Sequence, residues 1–214
     1  MPPTSLLEPT VFIVEDDEAV RDSLSLLLSL QGMRTMPFAS AEEFLRTWGA
    51  DRAGCVLLDL QMKGMSGLDL LAELRRRGTV PPVIVITAHG DVSNTRDSFK
   101  SGAVDFFEKP VDPDALVVAI RRAVDQDMER RAESRELASF SRDLERLTQR
   151  EREVLELVVG GLHNREIAGQ LGISPRTVEV YKGRLMEKLG VRRLPDLIRL
   201  MLRLGPPGTP TRPG

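Results

Sequence analysis

Residues 83–87 read VIVIT, a run of β-branched residues without alternation of polar and apolar side chains. Such a run is typical of a central strand in a parallel sheet, where helices cover both faces. Other short runs that favour strands are TVFIV at 10–14, RTMPF at 34–38, CVLLD at 55–59 and VDFFEK at 104–109. Stretches with helical periodicity follow each run, which gives five strands and five helices in strict alternation. The pattern predicts a doubly wound α/β domain with five parallel strands.

Polar side chains stand where these runs end. Glu15 and Asp16 follow the first run, Asp59 ends the third, Thr87 ends the fourth and Lys109 ends the fifth. Ligands of such sheets bind outside the carboxyl ends of the strands, so we expect the five side chains to share one crevice. Clustered carboxylates repel one another and are ligands for Mg²⁺. An Asp carboxylate can attack a phosphoryl group, and a Lys ammonium can bind that group as a point charge. The pattern predicts a Mg²⁺-dependent phosphorylation site at Asp59.

Charge is distributed unevenly along the 214 residues. Residues 1–147 carry 18 Lys and Arg against 25 Asp and Glu, a net charge of −7. Residues 148–204 carry 11 against 7, a net charge of +4. The length allows two modest domains, each with its own core, and only the second segment suits a polyanionic partner.

Cys55 is the single cysteine of the sequence. An intrachain disulfide is therefore excluded, and a buried reduced thiol is expected. The sequence begins without a basic segment followed by an apolar core, and no apolar run approaches the roughly 18 residues that span a bilayer. We expect a cytoplasmic protein that has no membrane partner.

A charged stretch without Gly or Pro extends from residue 115 to residue 150. It predicts that the fifth helix continues beyond the first domain as a helical linker. One apolar stripe lies along it at 3-4-3 spacing, at Leu137, Phe140, Leu144 and Leu147. Packing of this stripe on a neighbouring domain is favoured over a coiled coil, which needs three or four heptads. The last ten residues, GPPGTPTRPG, predict a disordered tail.

The basic segment shows three helices in close succession. LTQREREVLELVVGG at 147–161 predicts the first helix and NREIAGQLG at 164–172 a short second one. Ser174 and Pro175 supply an N-cap and a first helical residue for the third, RTVEVYKGRLMEKLG at 176–190. Two helices joined by a short turn that contains Gly indicate a helix-turn-helix.

The third helix has two distinct faces. Its inner face carries Val178, Leu185 and Leu189. Its outer face carries residues at i, i+3, i+4 and i+7, namely Arg176, Glu179, Val180 and Gly183. The outer face is the one that would enter the major groove of DNA. Four basic side chains of this helix are candidate phosphate contacts: Arg176, Lys182, Arg184 and Lys188.

Residues 10–124 resemble the receiver domains of response regulators, which have a flavodoxin-like fold. The acidic pair, Asp59, Thr87 and Lys109 carry the resemblance, together with GMSG at 64–67 and GAVDFFEKP at 102–110. The resemblance implies that Asp59 accepts phosphate from a sensor histidine kinase.

The same resemblance assigns further roles near Asp59. It implies that Mg²⁺ is held by Glu15, Asp16, Asp59 and the Gln61 backbone carbonyl. Thr87 and Phe106 would form a coupled switch pair. The Lys109–Pro110 bond would be cis, an isomer that proline makes accessible.

Residues 147–204 resemble the LuxR-type domain of the NarL/FixJ subfamily through LTQREREVL, NREIA and ISPRTVEVY. The resemblance implies that phosphorylation produces a homodimer that binds double-stranded promoter DNA, with RNA polymerase as a further partner. The predicted DNA-binding residues are Arg176, Thr177, Glu179, Val180, Lys182, Gly183, Arg184 and Lys188.

The predicted organisation has four segments. Residues 8–124 form the receiver, 125–146 the helical linker, 147–204 the all-α helix-turn-helix domain and 205–214 the tail. The function that this organisation favours is a phosphorylation-controlled transcription factor rather than an enzyme.

Two other functions are less consistent with the sequence. A phosphatase with an aspartate nucleophile needs a second acid two residues further on, where this chain has Gln61. A constitutive DNA-binding protein with a vestigial receiver is disfavoured by the intact Asp59, Thr87 and Lys109, but Lys63 leaves it open, because the receiver family most often has proline there. Two further features near the site are His89, interpreted as a solvated loop residue, and the unusually polar fourth-helix segment SNTRDSFKS at 93–101.

Overall fold

The computed structural model describes residues 8–49, 52–78, 80–88 and 102–205. The chain divides into two compact units, Met1–Arg131 and Ala132–Gly214. The division falls within one long helix and inside the segment that we predicted to be a helical linker. His89, the fourth-helix segment at 93–101 and residues 206–214 of the predicted tail lie outside the described residues.

The first unit contains a sheet of five parallel strands in the order β2-β1-β3-β4-β5. The strands are β1 Thr10–Val14, β2 Arg34–Phe38, β3 Gly54–Asp59, β4 Val83–Thr87 and β5 Asp105–Glu108. The helices described here are α1 Glu18–Leu30, α2 Ala41–Thr47, α3 Gly67–Arg76 and the long α4 Pro113–Glu145. The predicted doubly wound fold is confirmed.

Each central strand contributes to two separate cores. In β1, Phe12 and Val14 lie in the core on one face of the sheet, whereas Val11 and Ile13 lie in the core on the other. Cys55 of β3 belongs to the second core as a free, buried thiol, and burial raises its pKa to about 12. A strand buried on both faces leaves no room for polar side chains except at its ends, which explains why the functional side chains of this sheet collect there.

The first core is rich in aromatic contacts. Phe12 packs edge-on against Phe44 and Trp48, with ring centroids 6.0 and 5.3 Å apart. Phe38 and Phe44 are a further edge-on pair at 5.4 Å. This aromatic cluster fixes α2 against β1 and β2, and α2 in turn lies beside the loop that follows Asp59.

Helix α4 is fastened to the first unit by a buried carboxylate. The Asp127 side chain is fully buried and accepts hydrogen bonds from Arg130 Nη2 at 2.6 Å, Arg131 Nε at 2.6 Å and the Gly54 N–H at 3.1 Å. Arg131 also donates to the backbone carbonyl of Arg52. We call these residues the Asp127 clasp. It joins α4 to the start of β3, at the end of the sheet opposite to Asp59.

Gly54 is required at its place in the clasp. Its φ of 134° lies in the region that L side chains rarely adopt. A Cβ at this position would lie 1.9 Å from the Thr10 carbonyl oxygen. The residue that begins β3 therefore presents its N–H to Asp127 with no side chain between them.

The second unit contains the C-terminal part of α4 and four further helices. These are α5 Gln149–Val159, α6 Asn164–Leu171, α7 Pro175–Lys188 and α8 Leu194–Leu204. The stripe predicted at Leu137, Phe140, Leu144 and Leu147 packs in the core of this unit. The structure therefore agrees with the favoured interpretation, in which the stripe packs on a neighbouring domain. Among the described residues, no helix is long and apolar enough to span a membrane.

A buried ion pair connects α5 with α7. Thr148 and Glu151 form the predicted capping box at the start of α5. Glu151 Oε2 also accepts a hydrogen bond from Lys188 Nζ at 2.7 Å, and only 4% of the Glu151 side chain is exposed. Burial alone would raise the pKa of Glu151, but the hydrogen bonds from Lys188 and Thr148 outweigh it and lower the pKa. The carboxylate is therefore charged in the folded state and holds the two helices together.

Candidate functional site

One ammonium group lies between two buried carboxylates at the carboxyl edge of the sheet. Lys109 Nζ is 2.7 Å from Glu15 Oε2 and 2.7 Å from Asp59 Oδ2. The side chains of Glu15 and Asp59 are 3% and 7% exposed. The predicted convergence of residues from strand ends β1, β3 and β5 is observed, because parallel strands bring their carboxyl ends to one edge.

Three carboxylates are close enough to share a cation. One ligand oxygen from each of Glu15, Asp16 and Asp59 lies within 4.8 Å of the others. Asp17, the acid that follows Asp16 in the sequence, has a different role, since its Oδ1 accepts the Val20 N–H and caps α1. Oxygen ligands from a few carboxylates, with the remaining positions open to water, are the set that Mg²⁺ prefers. The donor set therefore fits the predicted Mg²⁺.

The electrostatics of the site reflect its burial. Desolvation raises the pKa of Glu15, and the neighbouring Asp59 carboxylate acts in the same direction, whereas Lys109 opposes both. Burial alone would lower the pKa of Lys109, but its hydrogen bonds to Asp59 and Glu15 outweigh this effect and raise the pKa. Lys109 is therefore fully protonated at neutral pH and supplies a fixed positive charge next to Asp59.

Thr87 and Phe106 lie on adjacent strands. The register pairs Thr87 with Glu108 and Val85 with Phe106, so the Thr87 and Phe106 side chains share one face of the sheet. Thr87 is buried, and within the described part of the chain its hydroxyl contacts the Ala88 carbonyl oxygen at 3.4 Å. A hydrogen bond of this length is weak. Phe106 is half-buried against the first core.

The Lys109–Pro110 bond is cis, as the resemblance implied. The Lys109 N–H donates to the Thr87 carbonyl oxygen at 2.8 Å. The backbone of the residue that carries the ammonium group is thus tied to the end of β4. This hydrogen bond holds the backbones of Thr87 and Lys109 together and leaves their side chains able to move.

The loop after Asp59 presents a row of N–H groups to carboxylates. The Gln61 N–H donates to Asp59 Oδ1 at 2.9 Å, and the Lys63 N–H donates to Asp16 Oδ2 at 3.1 Å. The Met65 N–H donates to Glu42 Oε1 at 3.0 Å. Proline, the residue that the resemblance leads one to expect at position 63, could not donate to Asp16. The loop that would supply the Gln61 carbonyl ligand is held over the acidic cluster.

The outer face of α7 is exposed. Arg176, Glu179, Val180, Gly183 and Arg184 are exposed, whereas Val178, Leu185 and Leu189 are buried. The two-faced helix inferred from the sequence is therefore correct.

Three predicted DNA-binding residues make contacts within the second unit. The Thr177 hydroxyl is 2.8 Å from the Ser174 hydroxyl, and Lys182 Nζ donates to Asn164 Oδ1 at 3.1 Å. Lys188 forms the buried ion pair with Glu151. Sequence reasoning missed this partner because Glu151 stands 37 residues earlier and periodicity carries no information about contacts between helices. A DNA contact by Lys188 would compete with that ion pair.

Comparison with known proteins gives two family matches. Residues 11–121 match the response regulator receiver domain, and residues 145–201 match the bacterial regulatory proteins of the luxR family. The transcriptional regulatory protein FixJ of Azorhizobium caulinodans is 43% identical over 195 residues, which cover 91% of this chain and 92% of that protein. The C4-dicarboxylate transport transcriptional regulatory protein DctR of Rhodobacter capsulatus is 41% identical over 193 residues, which cover 89% and 98%.

Solved structures of similar proteins agree with these matches. The response regulator StyR aligns with a TM-score of 0.80 at 39% identity, over 92% of this chain and 99% of that one. The crystal structure of FixJ-N aligns with a TM-score of 0.53 at 43% identity, over 55% of this chain and 94% of that one.

Proposed function

The chain belongs to the response regulators in which a receiver domain is followed by a LuxR-type DNA-binding domain, and we propose that phosphorylation of Asp59 by a sensor histidine kinase controls its binding to promoter DNA. The chain is a transcriptional regulator of this family and not an enzyme of the phosphatase class. The observation that carries the finer proposal is the contact of Lys109 Nζ with Asp59 Oδ2 at 2.7 Å inside a crevice lined with carboxylates.

Asp59 is oriented for attack on a phosphoryl group. Its Oδ2 faces Lys109 and its Oδ1 faces the Gln61 N–H. When a phosphorylated histidine of the kinase enters the crevice, one Asp59 oxygen forms the new P–O bond while the P–N bond breaks and the imidazole nitrogen leaves. Lys109 can then pair with a phosphoryl oxygen, and the Thr87 hydroxyl can donate to another.

The acidic cluster supports Mg²⁺ as the cofactor. Glu15, Asp16 and Asp59 would hold it, with the Gln61 backbone carbonyl as a further ligand. A bound cation neutralises charge on the transferring phosphoryl group and relieves the repulsion among the carboxylates.

Movement of Thr87 toward the phosphoryl group would link the site to the rest of the receiver. Movement of the Thr87 hydroxyl would leave space on the face of the sheet that Thr87 shares with Phe106. The half-buried Phe106 ring can then move into that space. Phosphorylation would thus shift an equilibrium between two conformations and favour a homodimer. In such a dimer, two copies of α7 would read inverted half-sites of a promoter, and bound RNA polymerase would be the final partner.

The test compares the wild type with Asp59→Asn. Each protein is incubated with Mg²⁺ and acetyl phosphate, and its molar mass and its retention of DNA duplexes from a random-sequence pool are measured. We expect the wild type alone to gain mass toward a dimer and to bind DNA more tightly. Equal behaviour of the two proteins would contradict the proposal and favour a constitutive DNA-binding protein.

Two basic residues of α7, Arg184 and Lys188, allow a DNA contact to be distinguished from a structural role. Arg184 is exposed, so we expect Arg184→Ala to reduce the slope of log K against log salt by about one without changing stability. Lys188→Ala removes the partner of buried Glu151 and is expected to lower the free energy of unfolding of the second unit by about 1 kcal/mol. Fluorescence anisotropy of a labelled duplex at several salt concentrations and urea denaturation measure the two effects. Equal losses of stability in both variants would contradict this assignment.

A further inference from the structure

Glu42 lies outside the acidic cluster but contacts the loop that closes it. The residue stands in the first turn of α2, and its Oε1 accepts the Met65 N–H at 3.0 Å. Helix α2 is itself fixed by Phe44 and Trp48 in the aromatic cluster. Glu42 therefore connects a rigid helix with the loop at residues 60–66.

The row of N–H groups in this loop ends at Glu42. The N–H groups of alternate residues 61, 63 and 65 each donate to a carboxylate. The first two acceptors, Asp59 and Asp16, belong to the predicted Mg²⁺ ligands. The third acceptor, Glu42, is not a predicted Mg²⁺ ligand, so it can hold the loop without also binding the cation.

The loop backbone is shaped to approach this anchor. Gly64 has a φ of 80°, and a Cβ added to it would lie 2.9 Å from Glu42 Oε1. A side chain at position 64 would thus displace the carboxylate from Met65. At its other end the loop closes through the Gly67 N–H, which donates to the Leu60 carbonyl oxygen at 3.1 Å.

We propose that Glu42 is a positioning residue for the phosphorylation site, which holds the loop after Asp59 so that the Gln61 carbonyl and Asp16 face the cation. This inference rests on the proposed function of Asp59. The carboxylate is suited to a permanent anchor, because hydrogen bonds from its own N–H and from that of Met65 lower the pKa of Glu42. Asp16 is held by the same loop through Lys63, so release of the loop also releases a metal ligand.

The experiment compares four full-length proteins: the wild type, Glu42→Ala, Glu42→Gln and Glu43→Ala. Glu42→Gln keeps an oxygen that can accept the Met65 N–H. Glu43→Ala is the matched control, because Glu43 lies in the same helical turn but its Oε2 accepts the Ala39 N–H at 2.9 Å instead of a loop N–H. Calorimetric titration gives the Kd for Mg²⁺, acetyl phosphate gives the phosphorylation rate, and thermal unfolding gives Tm.

We expect Glu42→Ala to raise the Kd for Mg²⁺ by about tenfold, the lower end of the range for residues that orient metal ligands, and to slow phosphorylation in proportion. Glu42→Gln should remain near the wild type, and Glu43→Ala should change Tm without changing the Kd. Equal Kd values for Glu42→Ala and the wild type would overturn the inference. Loss of Mg²⁺ affinity in Glu43→Ala as large as in Glu42→Ala would also overturn it, since the effect would then belong to α2 as a whole.

The design separates this inference from the proposed function. Failure of the wild type to become phosphorylated would contradict the role of Asp59 itself. Normal phosphorylation of the wild type together with an unaltered Glu42→Ala would contradict only the role of Glu42.

Discussion

Replacement of Lys109 by Ala is expected to destabilise the first unit at neutral pH by about 3 kcal/mol in the absence of Mg²⁺, because removal of one partner of a buried ion pair leaves uncompensated charge. Both carboxylates that contact the ammonium, those of Glu15 and Asp59, are almost fully buried. Urea denaturation followed by circular dichroism measures the loss. The same variant should lose most of the response to acetyl phosphate, since no fixed cation remains beside Asp59.

The dependence on pH and Mg²⁺ distinguishes this explanation from a simple packing defect. Burial already raises the pKa of Glu15 in the wild type, and loss of the ammonium should raise it further. A carboxyl group whose pKa is raised by folding stabilises the folded state at low pH. This stabilisation is lost as the pH rises through the pKa of the group in the folded state. The deficit of Lys109→Ala should therefore shrink in acid, and it should also shrink when Mg²⁺ binds. A deficit independent of both would show that the methylene groups of Lys109, and not its charge, stabilise the site.

The second large effect concerns the Asp127 clasp. We expect Asp127→Ala to lower the free energy of unfolding of the first unit by about 3 kcal/mol, because it leaves the buried Gly54 N–H without its acceptor and removes the carboxylate that pairs with the mostly buried Arg131. Arg130→Ala is the matched control. Its guanidinium is 57% exposed, and water can replace it, so a loss below about 1 kcal/mol is expected.

The clasp also has a defined pH dependence. Burial alone would raise the pKa of Asp127, but hydrogen bonds from Arg130, Arg131 and the Gly54 N–H outweigh burial and lower it. A carboxyl group whose pKa is lowered by folding stabilises the folded state at pH values above its ordinary pKa. This stabilisation is lost as the pH falls through the pKa of the group in the folded state. The difference between the wild type and Asp127→Ala should therefore diminish in acid. Urea midpoints that differ by the same amount at every pH would contradict a charged clasp.

Local patterns in the sequence were sufficient to predict the sheet and the convergence at its carboxyl edge. Five apolar runs, each ended by a turn, leave few arrangements for a parallel sheet, and the strand ends that carry Glu15, Asp59 and Lys109 must then meet. The inner and outer faces of α7 followed from helical periodicity in the same way.

Contacts between distant segments were not predictable in this way. Asp127 binds the N–H of a residue 73 positions earlier, and Glu42 binds one 23 positions later. Both acceptors look like ordinary charged residues of an amphipathic helix until the packing of that helix on the sheet is known. The ion pair of Lys188 was not predictable for the same reason, since its partner Glu151 belongs to another helix. The DNA contact of Lys188 stays a prediction.

The aromatic cluster around Phe12 has a spectroscopic consequence. Trp48 is the single tryptophan of the chain, and it lies in the first of the two compact units. At excitation wavelengths that only tryptophan absorbs, the fluorescence therefore comes from the Trp48 indole, in that unit alone. Its emission follows the receiver through denaturation without a contribution from the DNA-binding helices, whereas the far-ultraviolet signal, dominated by helices, records both. A mismatch between the two curves measures how independently the halves of this regulator unfold.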